Sequence, residues 1–201
     1  MNATTTARRG RPRSFDRDAA LCKAMRLFWA NGYEGTSMNQ LVDAMGIGSP
    51  SIYAAYGSKE ELFREAVDLY LATQIDPAWQ KLEAIDDAQE AVRAMFASRL
   101  DLLADSEAAP GCLIMLGAGH LGCGDETVRA FLREQRMRYR DRLVKRLRRG
   151  VAEGDIASDR DPEILADCIL AFSAGMAIKS TDGAPLAEIA DSTEHFCRQI
   201  F

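Results

Sequence analysis

The sequence predicts an all-α fold, in which an N-terminal three-helix unit with a helix-turn-helix precedes a longer helical domain. Two observations carry this prediction. Residues 36–61 contain three helix boundaries marked by capping residues, in the order helix, glycine turn, helix. Beyond residue 62, apolar residues recur at helical spacing, and no segment sustains the alternating pattern of a β-strand.

Capping residues define the first two helices. Asp16 is a favourable N-cap, so the first helix is predicted to begin after it and to end at Gly32. Ser37 and Gln40 have the spacing of a capping box, which starts a second helix that Gly46 ends. The apolar residues between these boundaries fall on one face of each helix, as expected for a small packed unit.

The third helix is the one that a helix-turn-helix places in the DNA major groove. Ser49 is its predicted N-cap and Pro50 its first helical residue, a position that proline favours. Gly57 ends it. Ser58 with Glu61 forms a second predicted capping box, which starts a fourth helix reaching about residue 74.

The rest of the chain is predicted to be helical, with a restart at Asp76-Pro77 and further helices over residues 88–104, from 112, over 125–153, over 161–179 and from 185. The segment 125–153 carries many arginines beside an apolar stripe. We interpret them as a solvated face rather than as a second DNA-binding surface.

A known family shares many of these residues. Residues 15–62 resemble, without a gap, the DNA-binding domain of the tetracycline-repressor (TetR)/AcrR family of bacterial transcription regulators, through Ala19-Ala20, Leu27-Phe28, Gly32-Tyr33, Thr36-Ser37, Met45-Gly46-Ile47, Ser51-Ile52-Tyr53 and Ser58-Lys59-Glu60-Glu61-Leu62. The remainder resembles one branch of that family through Pro110-Gly111-Cys112-Leu113, Glu153-Gly154-Asp155 and Gly175-Met176-Ala177. The resemblance implies a basic arm over residues 1–14, a DNA-binding domain over 15–62 and a ligand-binding and dimerisation domain over 63–201.

The distribution of charge supports DNA binding. The net charge is −5, yet residues 1–60 hold eight Lys and Arg against five Asp and Glu. Within the arm, Arg8, Arg9, Arg11 and Arg13 surround a Gly-Arg-Pro sequence, which suits either insertion into a narrow minor groove or loose contact with phosphates. Both interpretations stay open.

The predicted recognition helix contains no Lys or Arg, so it must read bases in another way. We expect the hydroxyls of Ser49 and Ser51 to contact base edges and either Pro50 or Ala54 to contact thymine methyl groups. The predicted phosphate contacts are Thr36, Ser37, Tyr53 and the one nearby cation, Lys59. For Tyr56 we expect a mixed role, in which the ring packs inside and the hydroxyl contacts phosphate. The family resemblance implies the same roles for Thr36, Ser37, Ser49, Ser51, Tyr53 and Lys59.

Residues 164–178 are apolar on nearly all sides, which requires burial on two faces. One face can pack inside the second domain. The other can pair with a second copy of the chain, together with the helix that begins at Pro185, in a four-helix interface. A homodimer of this kind presents two recognition helices to a palindromic operator. The alternative is a helix fully buried in a monomer.

The resemblance implies a small, often apolar inducer in the second domain, whose binding releases the operator. Candidate lining residues are Met95, Phe96, Met115 and Phe172, for which an ordinary core role is the alternative. Cys112 follows Pro-Gly near a predicted helix N-terminus, where a thiol pKa is lowered. We consider it either a sensor of electrophiles and oxidants or a small buried apolar residue.

Other classes of protein are disfavoured. The five cysteines form no Cys-x-x-Cys pair, so free thiols in a reducing cytoplasm are expected, and no apolar run looks long enough to span a bilayer. Residues 117–122 fit the Gly-x-Gly-x-x-Gly pattern of a nucleotide-dependent oxidoreductase, but no parallel sheet can be assembled around them. We therefore expect no enzyme, cofactor or metal site. A helical small-molecule-binding protein without sequence-specific DNA binding remains the main alternative.

Overall fold

A computed structural model describes residues 15–105, 110–117 and 125–201, and these residues form an all-α fold without a strand. The all-α prediction is therefore confirmed. The helices are α1 (Arg17–Asn31), α2 (Met38–Met45), α3 (Ser49–Tyr56), α4 (Lys59–Tyr70), α5 (Asp76–Ala84), α6 (Ala88–Ala104), α7 (Leu113–Leu116), α8 (Glu126–Glu153), α9 (Pro162–Thr181) and α10 (Leu186–Gln199). The predicted arm over residues 1–14 lies outside the described residues.

The caps of α1 and α2 are confirmed. The side chain of Asp16 accepts hydrogen bonds from the N–H groups of Asp18 and Ala19. Both reciprocal bonds of the Ser37–Gln40 capping box are present. Gly46 ends α2 with φ of 72°, a left-handed conformation that glycine adopts without steric strain.

Two predicted caps are wrong in detail. The first residue of α3 is Ser49 rather than Pro50, and Gly48 is its N-cap, because the Gly48 carbonyl accepts the N–H groups of Ser51 and Ile52 at 2.9 and 3.1 Å. At α4, Ser58 Oγ accepts the Glu61 N–H at 3.0 Å, as predicted. The Glu61 carboxylate lies against Gly57 instead of closing the reciprocal bond, so α4 has half of a capping box.

The predicted break before Asp76 is also wrong. A π-helical segment, Leu71–Ile75, joins α4 to α5 without interruption, and the Asp76 N–H donates to the carbonyl of Leu71, five residues earlier. Pro77 has no N–H with which to continue the α-helical pattern, so the backbone widens by one residue instead of breaking.

The apolar core divides into two clusters. The first joins α1 to α4 with α7 and the start of α8, and the second joins α5, α6, α9 and α10 with the remainder of α8. Phe63, Val67 and Tyr70 belong to the first cluster, so the packing of the N-terminal unit continues past residue 62. A domain boundary at that residue stays a prediction. The 28-residue α8 spans both clusters.

Helices α6 and α8 approach closely at Gly150. A Cβ atom placed on Gly150 would lie 2.5 Å from the Ala88 Cβ, so only glycine allows this approach. Elsewhere on α8, arginines pair with carboxylates, among them Arg140 with Asp167 and Arg149 with Glu153. This pairing agrees with a solvated, salt-bridged face for these arginines. Arg146 was expected on the same face and is instead buried, where it donates to the carbonyls of Ile85 and Asp86.

Helix α9 departs from one expectation. By length and composition alone, with a mean hydropathy of 1.4, it is a candidate to cross a membrane, whereas no apolar run of sufficient length was expected. A core or interface helix passes the same test. In this fold, α9 packs on α8 and buries Leu165, Ile169 and Met176, while Ile164 and Ile178 on its other side are 62% and 50% exposed.

Candidate nucleic-acid interface and internal cavity

The exposed surface of α2 and α3 contains most of the predicted DNA contacts. Ile52 anchors α3 in the core with 1% exposure, which turns Pro50, Ser51 and Tyr53 outward. Tyr53 is 49% exposed. Ser49 is half-buried at the start of the helix and Ser37 is exposed at the start of α2. Ser37 precedes α2, and Ser49, Pro50 and Ser51 form the first turn of α3, so these residues lie at the N-terminal ends of two helices, where backbone N–H groups attract phosphate.

Thr36 does not belong to that surface. Its side chain is fully buried, and its hydroxyl donates a 2.7 Å hydrogen bond to the Gly32 carbonyl. The predicted phosphate contact of Thr36 is therefore corrected to a structural role, in which the hydroxyl closes the turn between α1 and α2.

For Tyr56, the predicted packing is confirmed and the predicted phosphate contact is corrected. Its side chain is 4% exposed, and its hydroxyl donates to the Arg17 carbonyl at 2.8 Å. The Arg17 guanidinium covers the tyrosine ring at 4.4 Å and pairs with Glu65 at 2.7 Å. The ring and its hydroxyl fasten α3 to the start of α1, which leaves Tyr53 as the exposed phenol of α3.

Lys59 is half-buried beside the α1–α2 turn. Its Nζ atom lies 4.2 Å from the centre of the Tyr33 ring, in a cation–π contact. Burial lowers the pKa of the Lys59 ammonium, and the nearby Glu34 carboxylate opposes part of that change. Sequence reasoning gave Tyr33 no such role, since nothing local to Gly32-Tyr33 predicts its contact with a residue of α4. The arm arginines Arg8, Arg9, Arg11 and Arg13 lie outside the described residues.

A cavity of about 280 Å³ lies between α5, α6, α7, α8 and α9. Three of the predicted lining residues, Met95, Cys112 and Met115, line it. Phe96 and Phe172 do not. They pack with Phe196 in a separate aromatic cluster, in which Phe172 stacks on Phe196 at 4.2 Å and Phe96 meets both rings edge-on at 5.6 and 5.8 Å, so their predicted ligand role is corrected to a core role.

Several lining residues could not be identified from the sequence. They include apolar and aromatic residues as well as three arginines and two serines, namely Leu71, Trp79, Ser98, Arg99, Leu102, Arg136, Tyr139, Arg140 and Ser173. Their spacing in the sequence could not identify them, because the cavity wall combines a few residues from each of α5, α6, α8 and α9. The half-exposed Met137 also lines the cavity, so the cavity reaches solvent beside it.

Cys112 is a buried free thiol in the cavity wall. Burial would raise the pKa of this thiol, but the Arg99 guanidinium, the Tyr70 hydroxyl and the Met115 N–H together hold the pKa below its ordinary value. The Tyr70 hydroxyl donates to Cys112 Sγ at 3.5 Å. The predicted cause, the dipole of a following helix, is minor because α7 has only four residues.

A short segment connects the cavity to the helix-turn-helix. We call residues 110–117, which contain Cys112 and α7, the strap. At one end, the Trp29 Nε1–H donates to the Gly111 carbonyl at 3.4 Å, and at the other the Tyr33 N–H donates to the Gly117 carbonyl at 2.8 Å. The strap thus forms part of the cavity wall and also contacts the turn that leads into α2.

No group of His, Cys, Asp and Glu side chains suited to a metal ion occurs within residues 15–105, 110–117 and 125–201. Cys22, Cys112, Cys168 and Cys197 are unpaired thiols in this part of the chain. The predicted nucleotide-binding alternative needs a strand ahead of Gly117, and the structure has the helix Leu113–Leu116 there.

These features define a helix-turn-helix DNA-binding protein with an internal cavity in its second helical domain. Comparisons with known proteins agree. The family model described as "Bacterial regulatory proteins, tetR family" matches residues 21–66, and the one described as "Tetracyclin repressor-like, C-terminal domain" matches residues 88–192. The chain belongs to the TetR family and is a DNA-binding transcriptional regulator.

Individual relatives are similar over most of their length. The chain is 33% identical to the HTH-type transcriptional repressor ComR of Escherichia coli (strain K12), over 90% of this chain and 87% of that protein. It is 32% identical to the HTH-type transcriptional regulator YezE of Bacillus subtilis (strain 168), over 78% and 81%. Among solved structures, a cysteine variant of the TetR family regulator CifR, complexed with 26-base-pair double-strand operator DNA, matches with 37% identity and a TM-score of 0.90, over 94% of this chain and 99% of that one.

Proposed function

We propose that the protein is a homodimeric repressor that binds a palindromic operator in the bacterial cytoplasm and leaves it when an effector occupies the cavity. The observation that carries the proposal is the strap, because one segment both lines the cavity and hydrogen-bonds the turn ahead of α2. An effector that prefers one position of the strap would shift the population of DNA-binding conformations.

For the operator contacts, we propose Ser37, Ser49, Pro50, Ser51, Tyr53 and Lys59, with the arm arginines Arg8, Arg9, Arg11 and Arg13. The outward position of the α3 side chains supports base reading by Ser51 and phosphate contact by Tyr53. Lys59 can reach phosphate only by leaving the ring of Tyr33, so its contribution should be smaller than that of an unconstrained lysine.

For the dimer, we propose that α9 and α10 pair with their copies. Ile164 and Ile178 are exposed on α9 and Leu186 is 39% exposed on α10. Large exposed apolar side chains on adjacent helices are typical of an interface between subunits. A second copy would bury these side chains and place two α3 helices on one side of the assembly.

A thiol-reactive signal is a second route to release. When the Cys112 thiol ionises, its sulfur can attack an electrophilic carbon, forming a sulfur–carbon bond while that carbon's bond to its leaving group breaks and the leaving group takes the electron pair. The uncharged thioether that results cannot form a thiolate beside Arg99, so both the volume and the electrostatics of the cavity wall change. If this route operates, Cys112→Ser should abolish release by electrophiles while leaving operator binding unchanged. Full response in the Cys112→Ser protein would exclude the route.

The test of the whole proposal is selection of genomic fragments by the purified dimer at one near-physiological salt concentration, followed by sequencing. We expect an inverted repeat. Removal of residues 1–13 should weaken binding to all sequences, whereas Ser51→Ala should relax preference at particular base pairs. If both variants lose affinity equally for all sequences, α3 does not read the operator. If a folded dimer enriches no sequence, the alternative of a helical binding protein without sequence-specific DNA binding is favoured.

A further inference from the structure

The internal cavity combines an apolar wall with an excess of positive charge. Leu71, Ile75, Trp79 and Leu102 supply much of the apolar surface, and other carbon-rich side chains complete it. Three arginines, Arg99, Arg136 and Arg140, also line it, and no Asp or Glu among the described residues does so. The one thiol at this wall among the described residues is Cys112, whose pKa is lowered by the Arg99 guanidinium despite its burial.

The three arginines differ in whether a carboxylate neutralises them. Arg140 is paired with Asp167 at 2.5 Å and lies 3.8 Å from Glu163, so its charge is already balanced. Arg99 and Arg136 form no salt bridge with any residue in the described parts of the chain. Arg136 instead donates from Nη1 to the Ile114 carbonyl at 2.8 Å, which satisfies one donor but leaves the charge unbalanced.

A guanidinium stays protonated at any accessible pH, so these two charges cannot be relieved by losing a proton. Burial lowers the pKa of Arg136, which is the mark of a cation that has lost water without gaining a counter-ion. Arg99 has the Cys112 sulfur and the Tyr70 hydroxyl as neighbours, and only an ionised thiol would balance it. While the Cys112 thiol is neutral, neither Arg99 nor Arg136 has a counter-ion among the described residues.

We infer that the cavity binds a small amphiphile with an apolar body and one carboxylate or similar oxyanion, whose charged group pairs with Arg136 and Arg99. The inference rests on the proposed effector site and names the class of its ligand. The planar guanidinium suits a carboxylate in two parallel hydrogen bonds, and a largely desolvated site strengthens each of them. The apolar body would lie against Trp79, Leu71 and Leu102. The volume of about 280 Å³ lies near the lower end of ordinary ligand cavities, which limits the ligand to a short or medium chain or a single ring system.

The experiment compares octanoate, octanol and octylamine, which share a chain length and differ in the charge of the head group. Binding is measured by isothermal titration calorimetry on the full-length dimer at neutral pH. We expect octanoate to bind about tenfold or more tightly than octanol, and octylamine to bind more weakly than both. Arg136→Met should remove about tenfold of the octanoate affinity and leave octanol unchanged.

The matched control is Arg138→Met, because Arg138 is exposed on the same helix and bonds only Gln135 among the described residues. It should leave octanoate binding unchanged. Arg99→Met is a second variant, accepted only if its thermal unfolding matches that of the parent protein. The inference is overturned if octanoate and octanol bind equally, or if Arg136→Met and Arg99→Met both retain the parent affinity for octanoate.

Operator release is measured separately with the same three probes. If octanoate binds through Arg136 but never releases operator DNA, the ligand class stands and the proposed regulatory role fails. If a different effector releases the operator and octanoate binds no more tightly than octanol, the regulatory role stands and the ligand class fails.

Discussion

The two tyrosines of α3 provide a direct test of how this helix is oriented. Tyr53 is 49% exposed, whereas Tyr56 is 4% exposed and donates to the Arg17 carbonyl at 2.8 Å. Changing each to phenylalanine removes one hydroxyl and leaves the ring. We expect Tyr56→Phe to lower stability and spare DNA binding, and Tyr53→Phe to spare stability and weaken DNA binding.

The magnitudes follow from the environment of each hydroxyl. Tyr56→Phe creates no cavity, so it should lower the free energy of unfolding by the net contribution of one buried hydrogen bond, about 1 kcal/mol. In a chain of 201 residues this lowers the unfolding midpoint by about 2–4 °C. A lost hydrogen bond from Tyr53 to a charged phosphate corresponds to about 1.5–3 kcal/mol, or about tenfold or more in operator affinity.

Stability is measured by thermal unfolding at one fixed protein concentration, since a dimer's midpoint depends on concentration. Operator affinity is measured by fluorescence anisotropy at one fixed salt concentration. This orientation of α3 is refuted if Tyr56→Phe weakens operator binding without lowering the midpoint, because the hydroxyl would then face DNA rather than Arg17.

Three further predictions concern a cap, a helix contact and a thiol. Ser37→Ala removes the capping box of α2 and should lower stability by about 1 kcal/mol in urea unfolding, and an unchanged midpoint would mean the cap adds nothing. Gly150→Ala should destabilise by about 1–3 kcal/mol, since a Cβ meets Ala88 at 2.5 Å, while Ala152→Ser on the exposed side should change stability by no more than about 0.5 kcal/mol. Because its pKa is lowered, Cys112 should be alkylated by iodoacetamide at a lower pH than free cysteine, as followed by mass spectrometry, and an inflection at or above that of free cysteine would contradict the Arg99 effect.

Helix boundaries could be predicted well because they depend on short-range bonds. The side chains of Asp16 and Ser37 accept hydrogen bonds from N–H groups two or three residues away. Gly46 adopts its left-handed conformation without help from distant parts of the fold. The predicted orientation of single side chains was less successful. Thr36 and Tyr56 look like polar residues at the edge of a DNA-binding motif, yet each hydroxyl is used by a backbone carbonyl inside the fold.

The cavity could be predicted only in part, because its wall depends on long-range packing. Met95, Cys112 and Met115 were identified as apolar or reactive residues in the second domain. Arg99 and Arg136 were not, since a sequence does not reveal which arginines lack a carboxylate once the helices pack. A distinction between Arg136 and the salt-bridged Arg140, four residues apart on α8, needs the positions of α7 and α9.

The strap has a consequence for how such a regulator can change over generations. Residues of the strap face the cavity, while its backbone carbonyls at Gly111 and Gly117 hold Trp29 and the turn at Tyr33. In the proposed mechanism, a substitution in the strap that reshapes the cavity for a new ligand would also shift the turn ahead of the helices that face DNA. If the strap couples the two sites as proposed, ligand preference and operator affinity would be linked through it, and a lineage that acquires a new signal through the strap would have to readjust its operator affinity at the same time.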